Sequence, residues 1–123
     1  MMVRGTWEYV ERVHAGGLAA IIVAVTPEDD VLFVEQYRVP LGRRTIEMPA
    51  GLVGDLDAHD TMEEAARREL LEETGWLASE VKVLMVGPTS SGMSNELIAF
   101  VRARGLTRIH AGGGDASENI TVH

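Results

Sequence analysis

The chain has 123 residues, 46% of them hydrophobic and 24% charged, the proportions of one globular domain with no room for a second core. Its 11 basic and 19 acidic side chains give a formal charge of −8, which disfavours nucleic acid and anionic membranes as partners, while an anionic small molecule stays open because bound divalent cations reverse the local field. Without cysteine there is neither a disulfide nor a thiolate metal site, and the chain is compatible with a reducing compartment.

The first twelve residues include Arg4, Glu8, Glu11 and Arg12 and lack the apolar stretch of a signal peptide. The longest apolar run, Leu18 to Val25, falls far short of the ~20 residues a membrane-spanning helix needs. A cytoplasmic location is expected. Trp7 to Val13 alternate loosely and Leu18 to Thr26 run continuously apolar, so two strands are predicted, the second buried. A polar turn from Pro27 to Asp30 precedes Val31 to Tyr37, and Leu18 to Tyr37 reads as a hairpin in an antiparallel or mixed sheet.

Pro40, Gly42, Pro49, Gly51 and Gly54 punctuate an irregular stretch in which Thr45 to Met48 reads as a short strand. From Thr61 the pattern turns helical. Thr61 and Glu64 have capping-box spacing, Ala65 to Glu73 are mostly helix formers, and Gly75 is placed to end the helix. Val81 to Val86 and Leu97 to Val101 read as further strands around a loop from Gly87 to Asn95. Residues Gly112 to Ser117 read as a flexible loop, and Ile120 to His123 as the opening of another strand.

The sharpest feature is the run Arg68-Glu69-Leu70-Leu71-Glu72-Glu73-Thr74-Gly75. At helical spacing, Glu69, Glu72 and Glu73 share one face, in an arc of roughly 100°. A plain solvated face would look the same. Mutual repulsion nevertheless favours a cation there, and carboxylate oxygens suit Mg²⁺. The four histidines are scattered without metal-ligand spacing.

This run resembles the Nudix box: a glycine, five residues, a glutamate, seven residues, then Arg-Glu-apolar-x-Glu-Glu-x-Gly-apolar. Arg68, Glu69, Leu70, Glu72, Glu73, Gly75 and Trp76 match its second half, with Gly54 and Asp60 in register before it. Asp60 stands where the family has glutamate. The Pro49-Ala50-Gly51 turn, which carries the box glycine in relatives, lies three residues too far upstream, so the loop from Leu52 to His59 is lengthened. The resemblance implies an α/β/α sandwich with a mixed sheet and a loop-helix-loop motif, as one domain over residues 1–123 whose relatives continue through a further strand and helix.

By the same resemblance Ala50 (through its carbonyl), Glu69, Glu72 and Glu73 would hold Mg²⁺, or alternatively Mn²⁺. Glu72 would serve as a ligand or a catalytic helper, and Arg68 would orient the glutamates. Such ions would neutralise a diphosphate and activate water for in-line attack at phosphorus.

Gln36-Tyr37-Arg38, Glu47-Met48-Pro49-Ala50-Gly51 and Ser91-Gly92-Met93-Ser94-Asn95-Glu96 look like the ADP-ribose pyrophosphatase branch of that family. The branch implies a nucleoside diphosphate sugar, ADP-ribose first, with GDP-mannose or another sugar nucleotide as the alternative and a non-hydrolysing sensor as a further one. Ser91 stands where the branch usually has a proline, in the loop that touches the sugar. Substrate-binding candidates are Trp7, Arg38, Glu47, Leu52, Ser91 and Gly92. Trp7 would stack on the base across the boundary of a homodimer, against its being an edge-strand residue. Arg38 would fork onto a phosphate, against an exposed ion pair. Glu47 would take a hydroxyl, against an ion pair with Arg43 or Arg44. In the segment Gly112 to Glu118, Glu118 is the candidate late ligand or base, with Asp115 the other acid and Ala116 at what is commonly an acidic position.

Overall fold

The computed structural model describes residues 1–11, 18–53, 61–114 and 119–123. In chain order its elements are β1 (Met2–Arg4), β2 (Trp7–Tyr9), β3 (Leu18–Ala24), β4 (Val34–Arg38), a 3₁₀ turn (Val39–Leu41), β5 (Arg43–Glu47), β6 (Ala50–Leu52), α1 (Met62–Thr74), β7 (Trp76–Pro88), β8 (Leu97–Arg108) and β9 (Thr121–Val122).

The central sheet is mixed, in the order β6-β3-β8-β7, with β3 parallel to β8 and the other pairs antiparallel. A second sheet has the order β5-β4-β9, and β1 and β2 form a separate ribbon. The predicted hairpin from Leu18 to Tyr37 closes only at its tip, where Val25 bridges Val31 and Thr26 N–H donates to the Asp30 carbonyl at 2.9 Å. Beyond that β4 leaves for the second sheet, because both edges of β3 are already taken by β6 and β8. The strands expected at Val81–Val86 and Leu97–Val101 extend to Trp76–Pro88 and Leu97–Arg108, since each continues to pair with the other through polar residues such as Glu80 and Arg104.

On β3 the alternation of a half-buried strand is explicit. Ala20, Ile22 and Ala24 are buried beside Ala99, Val101 and Ala103 of β8, and Ala66 and Leu70 of α1 join the same cluster. Four of these six strand residues are alanine, which lets the helix lie close over the sheet, and full burial of Ile22, Leu70 and Val101 contributes roughly 1.5–3 kcal/mol each.

The helix has the ends the sequence predicts. Glu64 N–H donates to Thr61 Oγ1 at 3.2 Å, Thr61 N–H to Glu64 Oε2 at 3.3 Å, and Gly75 takes the left-handed conformation (φ 80°) with its N–H on the Leu71 carbonyl. Buried Thr74 satisfies itself by donating to the Leu70 carbonyl at 2.6 Å. Among the described residues α1 is the one α-helix, covering one face of the central sheet, so a second helical layer is not part of what is described. No helix there is long and apolar enough to cross a membrane.

Candidate active site

The edge strand β6 organises the site. Ile22 N–H donates to the Pro49 carbonyl (2.8 Å) and Val53 N–H to the Leu18 carbonyl (3.2 Å). With Ile21 opposite Ala50, that alternation puts Ala50 at a non-hydrogen-bonded position, so its N–H and carbonyl both face away from β3. The outward N–H meets a helix side chain: it donates to Glu73 Oε2 at 3.3 Å.

Gly51 opposes Ala20 and so lies on the helix face of the strand. A Cβ there would sit 2.6 Å from Glu69 Oε1 and closer still to Glu69 Cγ and Cδ. Glycine is what lets the Glu69 carboxylate approach the strand. Glu69 and Glu73 thus converge on β6 from one helix face, as their i, i+4 spacing predicts. Glu73 is 4% exposed, Glu69 is half-buried and Glu72 is exposed. Arg68 is half-buried, with Nε and Nη2 closed off from solvent.

Charge at this end of the helix is one-sided. The last turn holds no basic residue, so its glutamates meet the negative end of the helix dipole. Two carboxylates and the outward Ala50 carbonyl are a hard oxygen donor set that fits Mg²⁺ or Mn²⁺. Among the described residues no three acidic or histidine side chains are already gathered as a closed metal cage, and open positions filled by water and substrate phosphate are the usual condition of Mg²⁺.

On the sheet face opposite the helix lies a cleft of about 370 Å³ lined by Arg38, Glu47, Ala50, Gly51, Leu52 and Glu96 over a floor of Ala19, Ile21 and Ile98. The strand carrying Ala50 therefore separates the helix glutamates from this cleft. Arg38 and Glu47 meet in a fork, Nε to Oε2 at 2.7 Å and Nη2 to Oε1 at 2.6 Å, and Thr45 Oγ1 also donates to Glu47. These bonds, the Arg38 fork foremost, hold the Glu47 carboxyl below the usual range against the opposing effect of burial.

The sequence suggests Arg43 or Arg44 as the partner of Glu47. Arg44 instead donates to Glu35 Oε2 at 2.7 Å, because the register of β4 and β5 puts Glu35 and Arg44 on one face and Arg38, Thr45 and Glu47 on the other.

Trp7, Ser91 and Gly92 come together elsewhere, in a second cavity of about 300 Å³ that Arg4, Tyr9 and Asn95 complete. Val10 N–H donates to the Met93 carbonyl at 2.7 Å and stitches the N-terminal ribbon to this loop. Trp7 is 61% exposed and lies beside the loop of its own chain, 3.9 Å from where a Gly92 Cβ would be. A third cavity shares Ser94 with this one and Glu96 with the cleft.

Glu96 lines the cleft without being among the candidates that sequence reasoning selects. Its signal there is a lone acid between the Ser-rich loop and the apolar run of β8. Asp60, Gly54, Asp115, Ala116 and Glu118 lie outside the described residues.

Known proteins bear on this geometry in three ways. Residues 16–116 match the NUDIX domain model. The chain is 37% identical over 110 residues to a methanol dehydrogenase activator of Bacillus methanolicus, covering 89% of this chain and 57% of that protein. It is 36% identical over 94 residues to an ADP-ribose pyrophosphatase of Bacillus subtilis (strain 168), covering 76% and 48%. The chain thus spans about half the length of the curated relatives it matches. A solved structure described as an ADP compounds hydrolase superposes with a TM-score of 0.73 over 86% of this chain and 55% of that one, at 24% identity, and shares the fold. A carboxylate helix seated on its glycine turn, and a family match across most of the sequence, establish that the chain belongs to the Nudix domain family.

Proposed function

We propose that this domain hydrolyses the diphosphate of a nucleoside diphosphate sugar with Mg²⁺, taking ADP-ribose to AMP and ribose 5-phosphate. The observation that carries the reading is the meeting of Glu73 and Glu69 with Ala50 and Gly51, at the rim of a cleft that already contains a guanidinium. Bound Mg²⁺ would neutralise the diphosphate and ease deprotonation of a water.

In this reading Glu69, Glu73 and the Ala50 carbonyl hold the ion, with Mn²⁺ able to substitute. Glu72, exposed toward solvent, is a further ligand or takes the proton of the attacking water. Arg68 fixes the glutamates. Arg38 exchanges part of its fork with Glu47 for a substrate phosphate, releasing Glu47 to accept from a sugar or base hydroxyl. Leu52 gives the sugar an apolar wall, Ser91 and Gly92 border the sugar loop, and Trp7 stacks on the base. Glu118, four residues beyond Gly114, is the candidate late ligand or base. A homodimer belongs to the same reading, supported by the exposed apolar Met2, Val3 and Trp7 of the N-terminal ribbon, and a cytoplasmic location is proposed with it.

The B. subtilis relative supports ADP-ribose as the first substrate, and GDP-mannose is the alternative. A sensor that binds a sugar nucleotide without cleaving it is the second reading, favoured by Ala116 at what is commonly an acidic position and by the lengthened segment before Asp60. Incubation with ADP-ribose, GDP-mannose and other sugar nucleotides, with and without Mg²⁺, decides among them when products are read by phosphorus NMR in heavy-oxygen water. AMP release from ADP-ribose supports the first reading. Binding without turnover supports the sensor.

A further inference from the structure

The C-terminal turn of α1 is gripped by a segment far away in sequence. Ile109 and His110 N–H both donate to the Gly75 carbonyl, at 2.7 and 3.2 Å. Gly113 N–H donates to the carbonyl of Glu73 at 2.9 Å and Gly114 N–H to that of Glu72 at 3.0 Å. Gly112 N–H donates to His110 Nδ1 at 3.0 Å. Two carbonyls that the helix end would leave without intrahelical donors belong to two of the three glutamates.

Three consecutive glycines make this contact, each with positive φ (78°, 116° and 78°). At Gly112 a Cβ would lie 2.6 Å from the Glu73 carbonyl oxygen, 2.6 Å from Thr74 C and 2.8 Å from Thr74 Cα. All three neighbours are backbone, so no flexible side chain can yield. Any other residue there must push the segment off the helix end and break the bonds from Gly113 and Gly114. Glu73 is then loosened at its backbone while its carboxylate still faces Ala50.

We propose that Gly112, Gly113 and Gly114 are positioning residues: a backbone clamp that fixes the last turn of α1 so that Glu72 and Glu73 present their carboxylates to the divalent cation. The inference rests on the metal-dependent reading above and adds to it the part of the chain that sets the ligand geometry. A clamp and an ion that both act on this turn are thermodynamically linked, so the ion must stabilise the clamp as much as the clamp favours the ion.

Two measurements test it, each with a readout besides turnover. In the first, Mn²⁺ alone is titrated into the parent protein, Gly112→Ala and Gly5→Ala, with free Mn²⁺ followed by electron paramagnetic resonance. Gly5 has φ 63° and nothing within 4 Å of its would-be Cβ, so it carries the backbone strain without the contact. The clamp predicts that Gly112→Ala weakens Mn²⁺ binding by about tenfold or more, with kcat falling and KM for ADP-ribose little changed, while Gly5→Ala binds as the parent does. In the second, amide exchange of the parent is compared with and without Mg²⁺. Gly113 and Gly114 are expected to exchange more slowly with the ion, and this decides the matter should Gly112→Ala not fold. A parent that takes up no Mn²⁺ overturns the metal-dependent reading and the clamp with it. A parent that binds Mn²⁺, with Gly112→Ala matching it or with Gly113 and Gly114 indifferent to Mg²⁺, overturns the clamp alone.

Discussion

Gly51 lies so close to Glu69 that a Cβ in place of its hydrogen would fall 2.6 Å from Glu69 Oε1, and the Glu69 side chain would have to move to admit it. This contact joins the strand-side half of the site to the helix-side half. Gly51→Ala must therefore displace the carboxylate of Glu69. The expected result is a loss of about 10- to 100-fold in metal affinity or turnover, with a far smaller effect on the melting temperature, because the moved group is a half-buried side chain rather than core. Parallel Mn²⁺ titration and thermal melting check the contrast.

The reciprocal bonds between Thr61 and Glu64 hold the start of α1, far from the glutamates at its other end. Thr61→Ala is expected to lower the unfolding free energy by about 1 kcal/mol, read as a shift of the urea midpoint at constant slope. Folded protein at saturating Mg²⁺ keeps its turnover.

Glu47 gives a pH dependence with a definite sign. Its carboxyl titrates below its ordinary value of 4.5 in the folded protein, chiefly through the Arg38 fork. A depressed folded pKa stabilises the protein fully above the unfolded value and loses that contribution as pH falls through the folded one. The melting temperature of the parent should therefore exceed that of Glu47→Gln by a constant margin above about pH 5.5, shrinking as pH falls below 4.5. A margin that widens on acidification contradicts this assignment.

Base stacking on Trp7 is testable through KM. The indole is 61% exposed beside Gly92, so its removal spares the core. Trp7→Ala is expected to weaken substrate binding by about 1–3 kcal/mol with kcat nearly intact. Equal KM values for parent and variant would make Trp7 an edge-strand residue and no more.

Local periodicity makes α1 legible from the amino-acid sequence alone. The cap at Thr61, the stop at Gly75 and the shared face of Glu69, Glu72 and Glu73 depend only on residues within a few turns of one another. The pairing of β3 is less legible. An apolar run reads as buried without saying which strands take its two edges, and the turn at Pro27 to Asp30 suggests β4 where β6 and β8 stand. The burial of Glu73 and the fork between Arg38 and Glu47 are hidden for the same reason. Each depends on register between strands far apart in sequence, and one residue of register decides which face a side chain occupies. Glu96 and the glycines at 112–114 read as loop residues, because their roles arise where the loop lands.

The decisive experiment is turnover of ADP-ribose at saturating Mg²⁺ by the parent and by Glu73→Gln, each shown to be folded by circular dichroism. Glu73→Gln keeps the shape of a side chain that accepts from Ala50 at 3.3 Å and removes its charge. Mg²⁺-dependent AMP release by the parent is predicted, with a loss of at least about 100-fold in kcat for the variant, the scale on which removal of a key electrostatic group acts. Equal turnover by the two proteins would contradict the assignment of Glu73 as a metal ligand, and a parent whose AMP release does not depend on Mg²⁺ would contradict the metal-dependent hydrolysis proposed for this domain.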